Sequence, residues 1–106
     1  MPRPPKVPDV MICVHTALLA GAYTLTEHAK LRLTQRNITV WELRQALELG
    51  YHEKSKDRFD GSKQAWAYVI RGRAEERRDL RVVVALRAGL VIITAIDLTN
   101  EDADED

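Results

Sequence analysis

The sequence predicts an α+β domain in which three helices precede an antiparallel sheet of about four strands. Two observations carry that expectation. Apolar residues recur at helical spacing as far as Gly50 and in alternation beyond it, and capping or turn residues stand at the points where each periodic segment begins and ends.

Residues 1–8 hold four prolines and are expected to form a flexible, extended arm. A helix then follows from Asp9, whose carboxylate suits an N-cap, with Val10, Cys13, Val14, Ala17 and Leu18 on one face and Gly21 as its end. In TLTEHAKLRLTQRN either Thr24 with Glu27 as a capping box or Thr26 alone opens the second helix. Asn37 stops it, because Asn tolerates the left-handed conformation of a helix end. Thr39 and Glu42 form a further capping box, and Val40, Leu43, Ala46 and Leu47 give the third helix its buried stripe before Gly50 closes it.

Alternation then marks strands over 51–57, 65–72, 80–87 and 90–98, turning at Asp60-Gly61, at RAEERRD and at Ala88-Gly89. The first, YHEKSKD, is polar throughout and reads as an edge strand protected by lysines. The division is thus an arm at 1–8, one domain at 9–98 and an acidic tail at 99–106.

The 45% hydrophobic and 30% charged content excludes a disordered or a membrane-embedded chain. A single cysteine, Cys13, allows no internal disulfide, and with it a reducing, cytoplasmic setting is expected. Arg3, Lys6 and the apolar run to Ala22 have the outline of a signal peptide, but Asp9 and His15 interrupt it and the segment is expected to be retained. Cys13, His15, His28 and His52 lack the local spacing of a zinc site, so neither metal nor cofactor is expected. All 16 basic residues but only 11 of the 16 acidic ones precede Thr99, so the folded part is basic and suits a phosphate-rich partner. The acidic tail reads as a solvating extension, as a mimic of nucleic acid laid over the basic face, or as a segment repelling RNA until displaced.

His28, Arg32 and Arg36 stand four residues apart on the second helix, so successive side chains rotate by only about 40° and share a slanting face. Imidazole exchanges protons near neutral pH and guanidinium matches phosphate oxygens, which suits phosphate chemistry; a solvated helix face is the plain alternative.

The string TEHAKLRLTQRNIT resembles the pattern Ser/Thr-x-His-Ala-x-x-Arg-x-x-x-Arg-Gly-Ile-Ser/Thr of the domain of unknown function 4258, found in small prokaryotic proteins. The likeness runs over roughly residues 10 to 98, through ELRQALELG to IITAIDL, with Asn37 where the pattern has Gly. The family is similar to the barnase, EndoU, colicin and RelE group of metal-independent ribonucleases, many of them toxins paired with an antitoxin protein. The resemblance therefore implies a RelE/barnase-like fold and RNA cleavage by 2′-hydroxyl attack to a 2′,3′-cyclic phosphate. It implies His28 as proton carrier, with Arg32 and Arg36 as clamp and charge stabiliser, and Thr94 as a phosphate contact, although Thr94 equally reads as an ordinary strand-forming residue. A non-catalytic module binding RNA or protein through the same basic face is the other expectation.

Other residues admit two readings each. His52 serves as a second proton carrier or is a surface residue. Tyr68, in parity with Trp66 and Ile70, contacts substrate or fills the core. Arg71 and Arg81 face away from their strands' larger apolar side chains, either extending an RNA-binding face or simply being solvated. His15 is expected to pack at a boundary, and Trp41 to be partly exposed as a partner-docking indole.

Overall fold

Each of the three helices starts at a residue the sequence marks for it. In the computed structural model, which describes residues 3–75 and 78–99, they are α1 (Val10–Ala20), α2 (Glu27–Gln35) and α3 (Val40–Leu49). Asp9 accepts from the Ile12 N–H, Thr26 from the Ala29 N–H, and Thr39 and Glu42 cap each other reciprocally. Of the two openings expected for α2, Thr26 is the one that forms. Asn37 adopts φ 52°, the left-handed conformation expected of it.

The buried stripe of α3 is Leu43, Ala46 and Leu47, whereas Val40, expected in that stripe, is exposed because it lies in the first turn, outside the sheet's cover. Cys13 is half-buried on the flank of α1.

The sheet is larger than expected and mixed. Its strands are β1 (Tyr23–Leu25), β2 (Tyr51–His52), β3 (Arg58–Asp60), β4 (Ala65–Arg73), β5 (Asp79–Leu86) and β6 (Leu90–Asp97). Among the described residues this makes six strands, in the order β1-β6-β5-β4-β2 with β3 also on β4, so the expected four antiparallel strands are corrected. The long strands β4, β5 and β6 are antiparallel as alternation predicts. The addition is β1, which runs parallel to β6 and is fixed at its ends by Leu90 N–H to the Ala22 carbonyl and Thr26 N–H to the Ile92 carbonyl. Three residues between two helices are too few to display a period.

The expected edge strand over 51–57 is also corrected, since it breaks into β2, a 3-10 turn at Lys54–Lys56 and then β3. Asp57 explains the break. Its carboxylate turns inward and accepts the Val69 N–H at 2.9 Å, while the Glu53 N–H reaches the Val69 carbonyl at 2.8 Å. A side chain thus substitutes for one rung of the ladder, and β4 stays satisfied opposite the interruption.

The helices cover one face of the sheet, over Tyr68, Ile70, Leu80, Val82, Val84, Leu90 and Ile92. Contact there is close at Gly72 of β4, where an added methyl group would overlap the Ala46 carbonyl of α3. Gly50 is subject to the same carbonyl, and its backbone is not left-handed, so close approach rather than helix termination demands glycine. Gly72→Ala is expected to cost about 1–3 kcal/mol by forcing helix and sheet apart. Urea denaturation checks this, and an unchanged midpoint would show that α3 shifts freely.

The arm at residues 3–8 forms no helix or strand and lies against side chains of β3 and β4. Pro4 accepts the Trp66 indole N–H at 2.8 Å, the Val7 N–H donates to the Tyr68 hydroxyl at 2.9 Å, and Arg3 lies over Phe59 and Trp66. The residues of the acidic tail beyond Thr99 lie outside the described ones. No helix among the described residues is long and apolar enough to cross a membrane.

Candidate functional site

The row on α2 forms because its neighbours are buried. Ala29 and Leu33 point into the core, which leaves His28, Arg32 and Arg36 one residue earlier in the helical turn, along the adjoining flank. Arg32 Nε–H donates to His28 Nε2 at 3.4 Å, a long bond between solvent-facing groups. Arg36 extends to the edge of β6 and donates to the Ala95 carbonyl at 2.7 Å. At the other end of the helix Thr26 donates to the Ile93 carbonyl, so α2 is fastened at both ends to the part of β6 that β1 leaves uncovered.

Thr94 sits between those two carbonyls in sequence and pairs with Val83, which in turn pairs with Val69. These three side chains share the face of the sheet away from the helices. There they line a concavity of about 420 Å³ whose rim carries Lys56, Arg58 and Arg81. The Thr94 hydroxyl is buried and has no hydrogen-bond partner among the described residues. The row and Thr94 are linked through β6: Arg36 holds the carbonyl of the residue next to Thr94.

Arg71 and Arg81 are directly paired across β4 and β5 on this open face, on the side their parity predicts. Both are engaged by acids. Arg71 binds Asp79 through two nitrogens at 3.2 and 2.7 Å, and Arg81 binds Glu53 likewise at 2.8 and 3.2 Å. The hydrogen bond from Arg81 holds the Glu53 carboxyl below its ordinary range, that from Arg71 does the same for Asp79, and Arg71 is raised in turn by Asp79.

Tyr68 is a core residue, 3% exposed, with its hydroxyl used by the Val7 N–H. It is not on the open face with Arg71. His52, read as a surface residue, is instead enclosed. Its Nε2 lies 2.8 Å from Asp57 Oδ2, its ring meets Tyr68 edge-on, and the Asp57 side chain is 0% exposed and also bound by Lys6. The correction has a local cause: the turn at Lys54–Lys56 folds Asp57 back beneath His52, which an unbroken strand would not do. His15 lies 3.2 Å from the Leu47 carbonyl, at the boundary between α1 and α3. Trp41 is 62% exposed.

Sequence reasoning missed Arg78. Its guanidinium joins Glu42 of the α3 cap, Asp97 of β6 and the carbonyls of Arg36 and Asn37 at the end of α2. It therefore fixes the end of the helix that bears the row. Burial alone would raise the Glu42 carboxyl, but bonds from the Thr39 N–H and Arg78 outweigh it and hold Glu42 below its ordinary value.

The family model of the domain of unknown function DUF4258 matches residues 25–97. The chain belongs to this family. The match begins at the last residue of β1 and takes in every element from α2 to β6, and with them the row on α2, Thr94 and the open-face concavity. No curated protein and no solved structure matches the chain. Among the described residues of this DUF4258 protein, no group of three or more His, Cys, Asp and Glu side chains is placed to hold a metal ion.

Proposed function

We propose that this chain is a metal-independent endoribonuclease of toxin type, with a RelE/barnase-like arrangement of helices on a sheet. The observation that carries the reading is the row of imidazole and two guanidiniums secured to β6 at the residue after Thr94, whose hydroxyl has no partner among the described residues. His28 takes the proton of an RNA 2′-hydroxyl, the oxygen attacks the adjacent phosphorus, and the bond to the 5′ oxygen breaks. The departing oxygen takes its proton from water. Arg32 and Arg36 stabilise the charge gathered on the phosphorane, where such donors are worth a factor of about 10² to 10³ each. Thr94 donates to a phosphate oxygen. The substrate is RNA because a deoxyribose lacks the nucleophile. Tyr68 has no part in binding, since it is buried.

The toxin reading implies an antitoxin protein as partner, with a cytoplasmic site of action. The second reading, a module that binds RNA without cleaving it, is favoured by one observation: His15 and His52 are both engaged away from the row, so the row has a single histidine. Incubation of the purified protein with mixed RNA in excess EDTA separates the two. Fragments ending in 2′,3′-cyclic phosphate and 5′-hydroxyl are expected. Intact RNA bound in a salt-sensitive manner would support the binding module instead.

A further inference from the structure

We infer that the concavity on the open sheet face is a nucleotide subsite of the proposed RNA site, in which Lys56 and Arg58 hold a phosphate and the apolar floor receives a base. This rests on the RNA reading and extends it to residues outside the row. Three observations support it. First, the charges on the rim are unbalanced. Arg81 is bound by Glu53, while the side chains of Lys56 and Arg58 are exposed and make no hydrogen bond or ion pair with any described residue; Glu53 feels Lys56 only as a more distant charge. Cations left over beside a concave surface fit a phosphodiester and oppose an acidic lining.

Second, the floor is made of Ala67, Val69 and Val83, a flat aliphatic surface on a rigid sheet. An apolar floor of this kind can cover the face of a base, and the volume of about 420 Å³ lies within the range of small-ligand sites. Third, Thr94 lines the same space, and its hydroxyl, buried in the wall, has no hydrogen-bond partner among the described residues. A buried hydroxyl is ordinarily satisfied, so an orphan in a cationic hollow marks where a ligand's polar atom belongs. Because Thr94 precedes the residue that Arg36 binds, the subsite adjoins the row, and a single strand crossing the edge of β6 meets both. A duplex would not present an unstacked base to the floor.

The test is fluorescence anisotropy with a labelled single-stranded 2′-O-methyl oligonucleotide, which cannot be cleaved because the attacking hydroxyl is blocked. The double variant Lys56→Ala, Arg58→Ala is expected to bind at least about 10-fold more weakly, with a salt dependence shallower by roughly 0.7 to 1.4 logarithmic units per decade. The double variant Lys30→Ala, Arg87→Ala removes as much charge elsewhere and is expected to change affinity less than about twofold on the same scale. Equal loss in both, or none in the first, overturns the subsite while wild-type binding and cleavage keep the RNA reading intact. Failure of the wild-type protein to bind any oligonucleotide would overturn both. The exposed side chains of Lys56 and Arg58 hold no hydrogen bond or ion pair among the described residues, so thermal melting of their variant is expected to match wild type.

Discussion

Arg78→Met is expected to destabilise the protein by about 2–4 kcal/mol, somewhat less than the 3–5 kcal/mol typical when one partner of a fully buried ion pair is removed, because the Arg78 cluster keeps some solvent contact. The guanidinium bonds to two carboxylates, Glu42 and Asp97, and to two carbonyls at the end of α2. Methionine fills a similar volume but leaves all four acceptors without their donor. For a domain of this size the loss corresponds to a drop in Tm of roughly 10–20 °C. The pH dependence has a definite sign. The folded Glu42 carboxyl lies below its ordinary value of 4.5, so the stability it contributes is present above pH 4.5 and is lost as pH falls through the folded value. Part of that depression comes from Arg78, so the gap between wild type and variant is expected to be wide at pH 7 and to narrow below pH 4.5. Thermal melts of both proteins across that window check it. A gap independent of pH would assign the loss to packing alone.

The same substitution connects stability to the proposed site. Arg78 holds the Arg36 carbonyl, and Arg36 spans to β6, so loosening one end of α2 moves a guanidinium of the row. The variant is thus expected to bind RNA less tightly even at temperatures where it remains folded.

What the sequence displays of this fold is its local chemistry. Asp9, Thr26, Thr39 with Glu42, and Asn37 act within a few residues of themselves, and the structure places each at the helix end its side chain suits. Parity along a long strand is equally legible: Tyr68 and Ile70 face the helices while Arg71 and Arg81 face the other way. What pairs with what depends on register, and register is not written locally. The acids that engage Arg71 and Arg81 come from the start of β5 and from the residue before the 3-10 turn. Asp57 looked like one more polar residue of an edge strand, although it replaces a rung of the ladder, and Arg78 was one basic residue in a charged turn. Gly72 shows the same limit, since its need for hydrogen in place of a methyl arises from a carbonyl 26 positions earlier in the chain. The row on α2 was visible because helical spacing is local; the hollow with Lys56 and Arg58 was not, because four strands and a turn assemble it.

The second large effect is catalytic. His28 is exposed and, among the described residues, its side chain bonds only to Arg32, so His28→Ala is expected to leave the melting temperature unchanged. A positioned proton carrier contributes a factor of about 10² to 10⁴ in rate, equivalent to about 3–5 kcal/mol of barrier. Neither His15 nor His52 is placed to take over, being held at Leu47 and Asp57. The decisive measurement is therefore the single-turnover cleavage rate of a labelled RNA in excess EDTA, taken side by side for wild-type protein and His28→Ala prepared identically. A loss of at least about 100-fold in the variant, with 2′,3′-cyclic ends in the wild-type products, is the predicted result. Equal rates in the two proteins would contradict it, and would identify any cleavage seen as the work of another nuclease.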